Sequence, residues 1–206
     1  LVGGDTTRGP LAIGVTVHGF VPASCALRRD GARIGDLVFV TGTLGDAAAG
    51  LRCLDARGAD VADDVRAVLV ERLDRPTPRV AAGLALREHA SACIDVSDGL
   101  VADLGHVAKR SSVGIELDAR ALPASPALLA AFDEDARIVL QAAGGDDYEL
   151  AFTVAPERAG DVQRDLARIG CGATRIGRVV EGDGVRLLDG EGRDIALPRA
   201  GWEHFA

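Results

Sequence analysis

The 206-residue sequence has no Met, one Trp and one Tyr, and aromatic residues make up only 3% of it. It opens on LVGGDTTRG, the middle of a loop-like motif, so the expectation is a fragment or partly ordered chain whose missing part lies upstream. Long apolar runs are lacking too. None approaches the roughly 20 residues that span a bilayer, and no secretory signal is legible, so a cytoplasmic chain without a membrane partner is expected. A basic excess is absent: the formal net charge is −8 and no basic face is clustered, which argues against a nucleic-acid partner. Cys25, Cys53, Cys93 and Cys171 form no CxxC pair and stand in apolar surroundings, the pattern of buried free thiols in a reducing compartment. Neither GxxxxGK[ST] nor a GxGxxG strand exit with a later acid occurs, so a P-loop is excluded and a dinucleotide fingerprint is missing. The glycine-rich TGTLGDAAAG reads more simply as a tightly packed strand-to-helix turn. The four histidines are scattered, and His18 and His106 read as surface or packing residues.

What is present is enough apolar sequence for a real core, 48% of residues, interleaved with 26% charged ones. The segment LAIGVTVHGFV alternates apolar side chains at Leu11, Ile13, Val15 and Val17 and predicts a half-buried strand. GDLVFVTG predicts a short buried strand and GDAAAGLRCLDA a helix opened by Gly45 and Asp46. A stripe at Val65, Val68, Leu69 and Leu73 predicts a second helix, ended by RPTP, and Val80 to Glu88 a third. The strand ACIDV and the helix GLVADLGHVAKRS follow, then the strand VGIELDA. Two short helical pieces come after LPASP, and GGDDYELAFTV brings another strand. A helix from Pro156 to Gly170 precedes TRIGRVVEG and VRLLDG, which read as a terminal hairpin or strand pair. Irregular alternation of helices and strands predicts a mixed α/β (α+β) fold, with helices layered on a mixed sheet.

Three segments place carboxylates beside glycines at the edges of these elements: GGDTTRG at 3–9, DVSDGL at 95–100 and GGDDYEL at 144–150. Without a Cβ, backbone can approach a ligand closely, and carboxylates there accommodate an anionic substrate when Mg²⁺ stands between them. Each segment alone also reads as a turn. Ser97 or Asp98 could equally serve as the cap of the helix running through Leu100, Val101, Leu104 and Val107. Asp95, Ser97 and Asp98 together exceed what one cap requires.

In this order the segments resemble the thiamine-monophosphate kinases, members of the ATP-binding superfamily that includes aminoimidazole ribonucleotide synthetase. The likeness runs from GGDTTRGPLAIGVTVHG through LRRDGARIGDLVFVTGTLGDAAAGL, IDVSDGLVADLGHVAKRSSVGIELDARALP and GGDDYELAFTV to GWEHF. The resemblance implies transfer of the γ-phosphoryl group of ATP to thiamine monophosphate, giving thiamine diphosphate. By motif, Asp5, Asp95 and Asp98 are implied Mg²⁺ ligands. Gly4, Asp5, Arg29 and Ser97 are implied ATP contacts, Asp146 a substrate contact and Trp202 a ring against thiamine. No catalytic base is implied, because the substrate phosphate already carries an ionised oxygen. Absent from this sequence are the family's earlier ATP-covering segment, a GDDAAV-like cluster and dimer-forming strands. Residues 1–22 are then expected to be the last strand of an N-terminal ATP-binding domain and 23–206 the C-terminal domain of the fold. The longer protein is expected to be a homodimer. Other readings are a different ATP-dependent member of the superfamily and a non-catalytic C-terminal fragment.

Overall fold

The computed structural model describes residues 14–55 and 61–201. Thirteen regular elements follow one another: β1 (Leu37–Thr41), α1 (Asp46–Leu54), α2 (Asp63–Asp74), α3 (Val80–Leu86), β2 (Ala90–Asp95), α4 (Leu100–Ser111), β3 (Gly114–Asp118), α5 (Pro126–Ala131), α6 (Glu134–Ala143), β4 (Leu150–Val154), α7 (Ala159–Arg168), β5 (Ala173–Val180) and β6 (Val185–Leu188). The strands form one mixed six-stranded sheet in the order β2-β4-β1-β5-β3-β6, antiparallel throughout except for the β3–β6 pair.

The buried run LVFVT of β1 shows why helices cover both faces. Successive side chains point to opposite sides of a strand, and here both sides are apolar. Val38 and Val40 join Ile94, Leu100, Leu104 and Val107 in a core between the sheet and α4. Phe39 stacks on Phe152, with centroids 5.6 Å apart, in a second core closed by Leu86 of α3 and by Val162 and Leu166 of α7. A third cluster lies off the sheet, where Cys53 of α1, Leu69 of α2, Leu128 of α5 and Leu140 of α6 meet. At Gly50 a Cβ would run into the Leu69 carbonyl, so glycine lets α1 and α2 approach closely.

Three expectations are corrected. Residues 14–20 form no strand, and Val15 and Val17 are more than four-fifths exposed. Alternation yields a strand only where a neighbour supplies hydrogen bonds and an apolar floor, and no described element does so here. Val68 is half exposed while Leu69 is buried, so the α2 stripe is narrower than its apolar pattern. β5 and β6 do not pair with each other, because β3 lies between them. The turn joining them passes over the start of β3, where Ile115 N–H bonds the Gly184 carbonyl at 2.9 Å. Gly114 leaves room for that turn, since a Cβ there would sit 3.1 Å from the Glu181 carbonyl oxygen.

Candidate functional site

The carboxylate segment at 95–100 begins where β2 ends. Alternation buries Ile94 and Val96 and leaves Asp95 exposed on the face of Cys93, whose thiol burial pushes up to about 12, with the Asp95 charge adding to the effect. The four cysteines are free, three buried and Cys25 half-buried, and none lines the cavity described below. The chain then turns sharply into α4 at Gly99, whose φ of 129° favours glycine and whose missing Cβ would sit 3.1 Å from the backbone of Ala143.

Neither Ser97 nor Asp98 occupies the helix cap, which falls on Gly99. Asp103, four residues into the helix and 3% exposed, reaches back instead. Its Oδ2 accepts the N–H groups of Ser97, Asp98 and Gly99 at 2.9, 3.0 and 3.2 Å. One carboxylate thus fills a backbone concavity able to hold an anion and fixes the turn that carries Ser97 and Asp98. Burial raises the Asp103 pKa, and the three N–H bonds oppose the shift.

The second carboxylate segment is laced to the first. Asp146 N–H bonds the Ser97 carbonyl at 2.9 Å, Tyr148 N–H the Val96 carbonyl at 2.8 Å, and Val96 N–H the Glu149 carbonyl at 2.8 Å. The approach requires Gly145, where a Cβ would lie 2.5 Å from the Ser97 carbonyl oxygen. Asp146 and Tyr148 both have left-handed backbone, with φ of 66° and 49°. They are exposed, whereas Asp147 and Glu149 are buried.

The inward pair anchors the loop. Glu149 accepts Thr41 Oγ1 at 2.7 Å, Arg79 Nε and Nη2 at 2.6 Å each, and Arg72 Nη2 at 3.1 Å. Asp147 Oδ2 accepts the N–H of Gly45 at 2.8 Å, at the start of α1, while its Oδ1 is buried without a partner. Burial pushes the Asp147 carboxyl up to about 8, and the nearby Asp46 charge raises it further. Asp46 is itself held by Thr43 and Ser125 hydroxyls at 2.8 and 2.6 Å.

The outward pair faces a cavity of about 1120 Å³. Ser97, Asp98, Asp146 and Tyr148 form its polar wall, and Ala48, Leu51, Leu54, Val139, Leu140 and Ala143 its apolar one, with Arg52, Asp55 and Arg199 also on the lining. Tyr148 Oη donates to Asp146 Oδ1 at 3.2 Å. The phenol's pKa is raised, first by burial and then by the Asp146 charge and hydrogen bond, with smaller effects of the Asp95 and Asp98 charges. Such a cavity accommodates an organic cation with an apolar body. Through Mg²⁺ it also accommodates phosphates, since that ion is usually held by one or two carboxylates plus substrate oxygens. Among the described residues no cluster of three or more His, Cys, Asp or Glu could hold a metal by itself.

Of the site residues named from the sequence, Ser97, Asp98 and Asp146 line one cavity, and Asp95 stands at the end of β2, two residues before Ser97 and outside that lining. Arg29 does not join them. Its carbonyl accepts Ser111 Oγ at 3.2 Å at the far end of α4, roughly 18 Å of helix from the turn. Gly4, Asp5 and Trp202 lie outside the described residues. Gly201 is described, and a Cβ on it would lie 2.5 Å from the Asp98 carbonyl oxygen, so the chain before Trp202 passes over the same turn. His18 and His106 are exposed, away from the cavity lining. Sequence reasoning missed Asp103, Asp147, Glu149, Arg72, Arg79 and Tyr148; the one tyrosine of the chain, inside a carboxylate motif, was the available signal.

The family model for AIR synthase related protein, C-terminal domain, matches residues 33–190. A thiamine-monophosphate kinase of Salmonella typhimurium is 43% identical over 208 residues, all of this chain and 63% of the relative. The chain therefore spans less than two thirds of that relative's length. The crystal structure of thiamine-monophosphate kinase from Stenotrophomonas maltophilia K279a superposes with a TM-score of 0.76 at 43% identity, over 85% of this chain and 56% of the other. AaThiL complexed with AMPPCP and TMP gives 0.72 at 39% identity, over 87% and 54%.

Proposed function

The chain belongs to the AIR synthase related family, whose C-terminal domain it carries, and on that premise we propose that it is part of an ATP- and Mg²⁺-dependent thiamine-monophosphate kinase. The observation that carries this reading is the lacing of two carboxylate segments, 95–98 and 146–148, onto one cavity with a polar and an apolar wall. The relatives' names support it, as does the neighbour complexed with AMPPCP, an analogue of ATP, and TMP.

In this reading Asp95 and Asp98, with Asp5, hold Mg²⁺, and Ser97 and Gly4 contact ATP, while Arg29, at the far end of α4, takes no part. When bound, Mg²⁺ neutralises phosphate charge that would otherwise keep two anionic substrates apart. Asp146 attracts the cationic ring of the acceptor and Trp202 stacks on it. The acceptor phosphate oxygen attacks in line without a protein base, so the chain's task is positioning and charge. Residues 1–22 belong to a preceding ATP-binding domain and 23–206 to the C-terminal one, in a cytoplasmic homodimer. Phosphate transfer from labelled ATP to thiamine monophosphate, assayed on this chain and on its longer parent, tests the proposal. The parent should form thiamine diphosphate and this chain little or none; a parent that makes none refutes it.

A further inference from the structure

We propose that Tyr148 is a positioning and selectivity residue of the acceptor pocket, holding the Asp146 carboxylate toward a cationic ring and offering its own ring beside it. This rests on the kinase reading above. Two left-handed non-glycine residues within three positions are uncommon, and each costs free energy that the surroundings must offset. The offset is visible. Asp147 and Glu149 clamp the loop from beneath, and three backbone hydrogen bonds fasten it to residues 96 and 97.

The result is an alternation in which two acids are spent on anchoring while Asp146 and Tyr148 both turn to the cavity. Glycine at either outward position would relieve the strain but would remove the side chain. The phenol engages one oxygen of Asp146 at 3.2 Å, which restrains a carboxylate otherwise free to rotate in solvent. Arg52 and Arg199 share the lining with Asp55 and Asp98, so the preference for a positively charged ring comes from the wall where the phenol ring and the Asp146 carboxylate stand side by side.

The test compares wild type, Tyr148→Phe and Tyr148→Leu in the longer parent, measuring kcat, KM for each substrate, melting temperature and equilibrium binding of labelled thiamine monophosphate. Tyr148→Phe keeps the ring and loses one hydrogen bond, so KM and Kd for thiamine monophosphate should rise about tenfold, with kcat and KM for ATP within about twofold. Tyr148→Leu should weaken acceptor binding further. An acceptor KM within about twofold of wild type in Tyr148→Phe overturns the proposal, and so does an equal rise in both KM values with a lower melting temperature. A wild type that binds the acceptor without transferring phosphate sinks the kinase reading alone, and the binding comparison still decides on Tyr148. A wild type that does neither overturns both.

Discussion

Removing Asp103 tests how the turn at residues 97–99 is held. In Asp103→Ala three backbone N–H groups lose their acceptor at once. The Gly99 N–H is buried and bears the full penalty of an unmade bond, whereas those of Ser97 and Asp98 are part-buried and recover some water. At about 1–3 kcal/mol for the buried group, and less for the other two, the total is roughly 2–4 kcal/mol. For a chain of this size that lowers Tm by about 6–12 °C. Asp103→Asn should behave differently, since an amide oxygen still accepts and the charge it replaces is disfavoured by burial, as the raised pKa indicates. Its cost should be about 1 kcal/mol or less. Thermal denaturation followed by circular dichroism on the three proteins gives the answer. A Tm for Asp103→Ala within about 2 °C of wild type, or an Asn variant less stable than the Ala variant, would refute this account of the turn.

Asp147 gives a pH dependence whose sign follows from burial. Its folded pKa is raised to about 8, so its contribution to stability is complete below the ordinary carboxyl value, declines as pH rises, and is gone once pH passes about 8. Urea titrations at several pH values between 5 and 9 should show stability falling across that window, and Asp147→Asn should flatten the slope; an unchanged slope in the variant removes Asp147 as its source. Trp202→Ala in the longer parent should weaken thiamine monophosphate binding while leaving ATP affinity nearly unchanged, read by equilibrium binding of each ligand. An equal loss for both with a lower Tm would identify a structural staple instead.

The strands and helices of the interior were legible because their apolar patterns match one period each. LVFVT reads as a buried strand and ACIDV as a strand, and the helix from Leu100 was placed by its stripe and by Gly99. Sheet order was not legible. Nothing local in TRIGRVVEG and VRLLDG says that β3 enters between them, since that depends on Gly114 admitting the turn across its start. The strand read at LAIGVTVHGFV failed over its described part because alternation records what a segment could bury and says nothing of what is there to cover it. At the cavity, the motifs pointed to Ser97, Asp98 and Asp146, which line it, yet the residues that hold their loops were hidden. Asp103 looks like an ordinary acid on a helix until the backbone turns its N–H groups toward it. Asp147 and Glu149 look equivalent to Asp146 in sequence, and only the alternation imposed by two left-handed residues separates anchor from cavity-facing side chain.

In the proposed kinase the carboxylates at the end of β2 serve metal-bound phosphate chemistry rather than the stability of the turn. Phosphate transfer by the longer parent, wild type against Asp98→Asn, measured across a Mg²⁺ titration and normalised to folded protein, tests it most directly. A neutral amide is a poor Mg²⁺ ligand, whereas Asp98→Asn keeps the size of the side chain and its capacity to hydrogen-bond, and the Asp103 carboxylate still accepts the N–H groups of the turn. Turnover should therefore fall by about 100-fold or more while the melting temperature stays near wild type. Wild-type turnover per folded molecule in a variant that melts early would contradict it.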